Sequence, residues 1–221
     1  MKNSGERSLK SLNLKWLVLL AAGDLLVVLL FLVPEVVIGA TISQVGIGRI
    51  LAAMVMPVLV LLVVNVLPHD VKSMLVYWKP RGVLPGCEAF SKYGPGDGRI
   101  DMAALKKNVG ALPTESAEQN AKWYRLYKQV ANEPEVAEAH KLYLMYRDMA
   151  VLSLPLILLV PLAIYFASAS SGALWLAAGV FAMQYLLTAL SARWSGIRFV
   201  CNVLAVHSVK KVTTTKAATG T

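Results

Sequence analysis

Four apolar stretches dominate this chain, and their lengths constrain its fold more than any other feature of the sequence. They cover residues 16–33, 50–67, 149–169 and 172–190. Each is close to the ~20 residues that an α-helix needs to cross the ~30 Å hydrocarbon layer of a membrane. The sequence therefore predicts an all-α membrane protein with four transmembrane helices arranged as two hairpins.

The charged residues lie between and outside these stretches, which predicts the orientation of the chain. Hydrophobic residues make up 57% of the sequence and charged residues 16%, a lower charged share than the ~25% of a typical soluble domain. Both tails and the segment between the second and third stretches are rich in Lys and Arg, whereas residues 34–48 carry only Glu35. Because Lys and Arg concentrate on the cytoplasmic side, we expect a multi-pass protein of a bacterial inner membrane with both termini cytoplasmic.

The same pattern divides the chain into four segments. Residues 1–67 form an N-terminal tail and the first transmembrane hairpin, and residues 68–148 form a mostly helical cytoplasmic insertion. Residues 149–190 form the second hairpin. Residues 191–221 are expected to form an interfacial segment followed by a disordered C-terminal tail.

Turn-forming and helix-forming residues alternate within the insertion. Eight Pro and Gly residues between positions 80 and 98 predict a long irregular loop. Asp101 is placed to cap a short helix that Gly110 ends. Apolar residues at helical spacing predict an amphipathic helix over 114–131. A further helix begins near residues 132–135 and continues into the third apolar stretch.

Asp24 is the most unusual residue of the predicted membrane helices. It lies ~12 Å deep at 1.5 Å per residue, where inserting a carboxylate costs about 2.5–3.5 kcal/mol. Gln184, in the fourth stretch, lies at a depth of ~9 Å on the same scale and can reach it. We interpret the pair as an interhelical hydrogen bond, and the alternative is a proton or ion path or a polar contact between subunits.

Two groups of residues in the insertion are candidates for binding a partner or a ligand. Lys79 and Arg81 follow Trp78 beyond the second stretch, where they suit anchoring to lipid phosphates or, alternatively, capture of a phosphate-bearing ligand. Trp123 and Tyr127 lie on the apolar face of the amphipathic helix, which is expected to need a partner.

His140 and Arg147 share one face of the helix that enters the third stretch. They provide a potential base and a cation for lipid-headgroup chemistry, but no nucleophile motif accompanies them. The three histidines of the chain lack metal-ligand spacing, and no Gly-rich phosphate loop is present. We therefore predict no catalytic residue, no metal site and no cofactor.

The architecture favours a non-enzymatic membrane protein. We expect an oligomeric sensor or effector subunit whose insertion binds a cytoplasmic protein partner or a small ligand and couples it to the membrane helices. Sensor and effector subunits of bacterial antiphage systems are built in a similar way, which is an analogy of architecture alone. The net charge of +9 comes from basic residues in the segments predicted to be cytoplasmic. The orientation of the chain therefore accounts for it, and direct nucleic-acid binding is not expected. The alternatives are a membrane enzyme acting on lipid headgroups and a small transporter or channel.

Overall fold

The computed structural model of the chain describes residues 9–33, 44–167 and 171–209. These residues are predominantly helical, and no β-strand occurs among them, which confirms the predicted all-α class. In chain order the main helices are α1 (Leu9–Leu32), α2 (Gln44–Val66), α3 (His69–Tyr77), α4 (Met102–Val109), α5 (Ser116–Val130), α6 (Pro134–Phe166) and α7 (Ser171–Val209).

Three helices in the described part of the chain are long and apolar enough to cross a membrane. They are Asn13–Leu32 within α1 and the whole of α6 and α7. The second apolar stretch of the sequence forms α2, which includes the shorter apolar segment Gly46–Met56. Because α2 begins before the predicted start at residue 50, Arg49 lies inside the helix.

The chain divides into two compact units, and α6 and α7 each contribute to both. Unit 1 contains Met1–Tyr77 and Leu144–Ala192, and unit 2 contains Trp78–Tyr143 and Arg193–Thr221. From Arg193 onward, α7 belongs to the same unit as most of the predicted insertion. The predicted order of four segments along the chain stays a prediction.

Unit 1 has an apolar core to which α1, α2, α6 and α7 contribute. Val28, Val151 and Phe181 are fully buried in this core. Other sides of the same helices are apolar yet exposed, as at Leu158 and Trp175, which are 67% and 73% exposed. Helices that are hydrophobic all round suit a membrane, where lipid covers the outward side.

Local signals in the sequence determine the ends of α4 in unit 2. The side chain of Asp101 accepts hydrogen bonds from the backbone N–H groups of Ala103 and Ala104 at 2.8 and 3.0 Å, as expected of an N-cap. Gly110 ends the helix with a φ of 80°, in the left-handed region that glycine tolerates. Both the predicted cap and the predicted stop are confirmed.

The segment predicted to be one irregular loop contains three short helical turns. They are a 3-10 helix at Pro85–Glu88, a π-helix at Ala89–Tyr93 and an α-helical turn at Gly94–Gly96. Oε1 of Gln119 in α5 accepts hydrogen bonds from the backbone N–H groups of Phe90 and Ser91 at 3.0 and 3.1 Å. The prediction of a wholly irregular segment is wrong, because a side chain distant in sequence satisfies backbone groups of these turns.

The predicted interfacial segment is not a separate helix. Residues 191–209 continue α7 without a break, and Phe199 and Val203 are 4% and 0% exposed. Phe199 packs edge-on against Trp123, with the ring centroids 5.1 Å apart. This part of α7 therefore buries some of its apolar side chains, such as Phe199 and Val203, against protein. The predicted disordered tail, residues 210–221, lies outside the described residues.

Candidate functional site

A buried polar network joins α1, α6 and α7 within unit 1. Nε2 of Gln184 donates a hydrogen bond to Oδ1 of Asp24 at 2.8 Å and another to Oγ of Ser153 at 3.0 Å. Ser153 donates to the backbone carbonyl of Met149 at 3.0 Å, one turn earlier in α6. The contact expected between Asp24 and Gln184 is present. Ser153 was missed, although a hydroxyl inside an apolar stretch is a visible signal.

The space beside Asp24 is small. A cavity of about 10 Å³ touches it and is otherwise lined by apolar side chains, among them Val60 and Leu156. A space of this size holds at most about one water molecule. It does not provide a passage for a hydrated ion.

A charged cluster brings α3 and α6 together in unit 1. Oδ1 of Asp148 accepts hydrogen bonds from Nη2 and Nε of Arg147 at 2.8 and 3.1 Å, and Nζ of Lys72 lies 3.5 Å from the same oxygen. The side chains of Lys72 and Arg147 are only 5% and 3% exposed. Because buried ions are costly unless they are paired, Asp148 is central to the charge balance of this cluster.

His69 forms hydrogen bonds through both ring nitrogens. Its Nε2 lies 3.2 Å from Nη1 of Arg147, and an arginine can only donate. Nε2 therefore accepts, so the neutral ring carries its proton on Nδ1, 3.3 Å from Oγ of Ser73. Burial and then the cation of Arg147 hold the pKa of His69 below its ordinary value, against the opposite influence of Asp70 and Asp148.

Arg147 therefore does not belong to the surface predicted for it. Helical spacing predicts Arg147 on one face with His140, but Arg147 belongs to unit 1 and His140 to unit 2. A helix face groups residues by spacing alone, and it does not show which neighbouring helix covers each turn.

Arg49 contacts the C-terminal ends of two helices in unit 1. Its Nη2 donates to the backbone carbonyl of Ala167 at 2.9 Å, and its Nη1 lies 3.5 Å from the carbonyl of Leu32. Carbonyl groups at a helix C-terminus lack partners within the helix and carry partial negative charge, so a cation is favourable there. Arg49 was not among the predicted site residues, because it directly follows a stretch, residues 34–48, whose only charged residue is Glu35.

An aromatic cluster occupies the interior of unit 2. Oη of Tyr127 lies 3.1 Å from Nδ1 of His140, and the ring of His140 stacks on Phe199 with the ring centroids 4.5 Å apart. Trp123 is 6% exposed and lies close to Gly86. The partner that this apolar face was expected to need is α7 of the same chain, so Trp123 is not available to another protein.

Lys79 is engaged in an ion pair within unit 2. Its Nζ lies 2.7 Å from Oε1 of Glu88, and Lys92 lies 3.5 Å from the other oxygen of that carboxylate. Burial raises the pKa of Glu88, but hydrogen bonds from Lys79 and Tyr93 outweigh it and hold the pKa below its ordinary value. Arg81, the other cation predicted to bind phosphate, is exposed.

A groove on unit 2 consists of two adjoining cavities of about 510 and 250 Å³. Arg99 and Glu135 line both cavities, which is why we treat them as one groove, called here the unit 2 groove. The rest of its lining includes apolar side chains such as Val206 and, among the charged ones, Glu138 and Arg198.

Arg99 is held in place at this groove. Its Nη1 donates to Oδ1 of Asn202 at 3.2 Å, and its Nη2 lies 2.7 Å from Oδ2 of Asp97. The hydrogen bonds from Arg99 outweigh burial and lower the pKa of Asp97 to about 2. The Arg99–Asp97 pair therefore stays ionised across the physiological pH range.

The described residues contain no cluster of His, Cys, Asp and Glu side chains able to hold a metal ion. Cys87 and Cys201 are free thiols, and both are buried. Comparison of the chain with protein-family models, with curated proteins and with solved structures finds no match. The geometry described above is therefore the basis for a functional proposal.

Proposed function

We propose that this chain is a non-enzymatic, multi-pass protein of a bacterial inner membrane, with four spans in two hairpins and both termini in the cytoplasm. The three helices able to cross a membrane support this proposal. The remaining span, second in chain order, is α2. Its 23 residues reach ~35 Å at 1.5 Å per residue, which is enough for a ~30 Å hydrocarbon layer.

Arg49 supports the two-hairpin arrangement. It lies near the N-terminus of α2 and contacts the C-terminal ends of α1 and α6, so these three helix ends lie on one side of unit 1. Accordingly, α1 and α6 run in the same direction and α2 runs in the opposite direction. Cations usually lie on the cytoplasmic side of a membrane protein. Arg49 can lie on the other side because backbone carbonyl groups at two helix ends bind its guanidinium.

We further propose that the unit 2 groove receives a segment of a cytoplasmic protein partner. Apolar side chains such as Val206 together with the carboxylates of Glu135 and Glu138 fit a segment that carries apolar residues flanked by Lys or Arg. The observation that carries this proposal is that α6 and α7, which line the groove, both extend into unit 1. Binding at the groove therefore acts on helices that also build the membrane unit.

A role as a sensor or effector subunit in a homo-oligomer, including a role in antiphage defence, stays a prediction from architecture. The membrane-enzyme alternative has less support, because His140 contacts the aromatic side chains of Tyr127 and Phe199 and no nucleophile motif accompanies it in the sequence. The transporter or channel alternative has less support, because the cavity beside Asp24 is only about 10 Å³.

Substituted-cysteine labelling tests the topology. Cys87 and Cys201 are 8% and 3% exposed, so the native thiols give a low background. We expect Gly98→Cys, at an exposed position with open space around it, to react with a membrane-impermeant maleimide only after spheroplasts are permeabilised. Glu35→Cys should react in intact spheroplasts. Labelling of both cysteines from the same side, or recovery of the protein in the soluble fraction, contradicts the proposal.

Photo-crosslinking in native membranes tests the groove. A photoreactive amino acid at position Ala205, which lines the groove, should yield an adduct with a protein that mass spectrometry identifies. Adding Glu138→Lys, which reverses a charge of the groove, should lower that yield several-fold. The same probe at Arg125, exposed on α5 and outside the groove lining, is the control. Equal yields at both positions, or a yield that the charge reversal does not change, argue against a partner in this groove.

A further inference from the structure

Trp78 has a backbone conformation that is unusual for its side chain. It directly follows the last residue of α3, and its φ is 54°. The left-handed conformation at this position after a helix is the one that glycine usually supplies, and a bulky side chain makes it costly. In the described part of the chain, Trp78 is the one non-glycine residue with a positive φ. Such a conformation at a bulky residue is costly and often marks a functional position.

The ring of Trp78 lies against a cation. The guanidinium of Arg193 lies over the ring at 4.8 Å from the ring centroid, which is a favourable cation–π distance. Trp78 nevertheless remains 49% exposed. Stacking on an aromatic ring holds the guanidinium in one orientation while its N–H donors stay able to bind an oxyanion.

The charges around this pair are unbalanced in favour of cations. Glu88 forms ion pairs with both Lys79 and Lys92, at 2.7 and 3.5 Å. Arg193 makes no ion pair with any carboxylate of the described residues. The cation of Arg193 opposes the rise in the pKa of Tyr93 that burial and the hydrogen bond to Glu88 cause. Two cations therefore share a single carboxylate, and a third, Arg193, stacks on the residue that directly precedes Lys79.

The position of this cluster along the chain suits the membrane surface. Arg193 follows the fourth apolar stretch by three residues, which is ~4.5 Å along α7. The next residue, Trp194, is 70% exposed. Aromatic rings and cations concentrate at the level of the lipid headgroups, where cations meet phosphate.

We propose that Trp78, Lys79, Lys92 and Arg193 form a binding site for the phosphate-bearing headgroup of an anionic phospholipid. Arg193 donates hydrogen bonds to the phosphate while the Trp78 ring orients its guanidinium, and the two lysines supply further positive charge. This inference rests on the proposed membrane location of the chain. It adds a specific lipid site to a protein whose proposed partner binds elsewhere on unit 2, at the unit 2 groove.

Native mass spectrometry of the full-length protein in detergent, titrated with phosphatidylglycerol or phosphatidylcholine, tests the site. We expect tighter binding of phosphatidylglycerol. Arg193→Ala should lower this preference about fivefold, which corresponds to roughly one basic residue near a phosphate. Arg125→Ala is the matched control, because it removes an exposed cation from α5 and should leave the preference unchanged. Equal effects of the two substitutions overturn the proposal.

Trp78→Gly separates lipid binding from folding. It removes the ring and places glycine where the backbone favours it, so we expect a weaker preference for phosphatidylglycerol with no loss of thermal stability. An unchanged preference overturns the proposal. Displacement of the lipid by inorganic phosphate alone would assign the site to free phosphate and overturn it too. A membrane-inserted protein without headgroup preference contradicts this inference alone, whereas a soluble protein contradicts the proposed function as well.

Discussion

Gln184 of α7 donates a hydrogen bond to Asp24 of α1 over 2.8 Å, although the two residues are 160 positions apart in the chain. Asp24 is 5% exposed, so its carboxylate depends on protein donors rather than on bulk water. A polar group inside hydrocarbon is costly when no partner satisfies it. This contact therefore helps to specify how α1 and α7 pair. Apolar contacts alone discriminate poorly between alternative pairings of apolar helices.

Removing the donor should destabilise unit 1. We expect Gln184→Leu to lower the stability by about 1–2 kcal/mol, the range for interhelical hydrogen bonds in membranes and for a buried acceptor that loses its donor. Asp24→Asn, which keeps an oxygen acceptor, should cost less. Thermal unfolding in detergent measures both, with Met183→Leu at a neighbouring exposed position as the control. If Gln184→Leu melts like that control, the hydrogen bond does not contribute to stability.

Asp148 should contribute far more to the stability of the fold than a carboxylate in an exposed ion pair does. Asp148→Asn takes away the charge that both Lys72 and Arg147 contact, and breaking a buried ion pair costs about 3–5 kcal/mol. Asp97→Asn removes the carboxylate next to Arg99, whose side chain is 56% exposed, and should cost about 1 kcal/mol or less. Denaturant titration of the two variants compares these costs. Similar costs for both would show that burial does not control the contribution of Asp148.

His69 should make the stability sensitive to mild acid. Its folded-state pKa lies below the ordinary 6.5, because of burial and then because of Arg147, so the folded protein binds fewer protons than the unfolded chain near this pH. The contribution of His69 is therefore fully present above about pH 6.5 and is lost as the pH falls through the folded-state pKa. Protonation of Nε2 also removes the acceptor for Arg147.

Melting temperatures at pH 7.5 and pH 5 measure this effect. The decrease between the two should be smaller in His69→Gln, which keeps an acceptor for Arg147 but does not titrate. The acidic neighbours Asp70 and Asp148 are unchanged in this variant, so they serve as an internal control. Equal decreases in the wild type and the variant would assign the acid sensitivity to other groups.

Gly86 should not tolerate even a methyl group. A Cβ at this position would lie 2.7 Å from Cε3 of Trp123, in a closely packed part of unit 2. Gly86→Ala should therefore cost about 1–3 kcal/mol through overpacking. Gly98→Ala is the matched control, since nothing lies within 4 Å of its Cβ position. Circular dichroism melts compare the two, and equal stabilities would mean that the Trp123 ring can move aside.

Local signals made much of the helical structure predictable. Asp101 and Gly110 set the ends of α4 because a capping carboxylate and a left-handed glycine act on neighbouring backbone groups. The turns at residues 85–96 escaped prediction for the opposite reason. Their N–H groups are satisfied by Gln119, which is 29 positions from Phe90, and spacing along the chain carries no signal for such a contact.

The candidate site shows the same contrast. The contact between Asp24 and Gln184 was predictable, because depth along two spans is a function of sequence position alone. The placement of Trp123 in the interior and of Arg147 beside His69 was not predictable, because each depends on which helix packs against a given turn. The contacts of Arg49 were not predictable for a related reason. They depend on the C-terminal ends of α1 and α6 lying next to the start of α2.

The sequence by itself determined the apolar character of the long helices, the cap and the stop of α4 and the expected sidedness of the chain, because propensity, capping and transfer to hydrocarbon act on each segment independently. Only the tertiary structure decided which polar groups meet, which aromatic face is buried by α7 and where a groove remains open. Those outcomes depend on contacts between residues far apart in the chain, and many alternative pairings of apolar helices satisfy the same hydrophobic pattern.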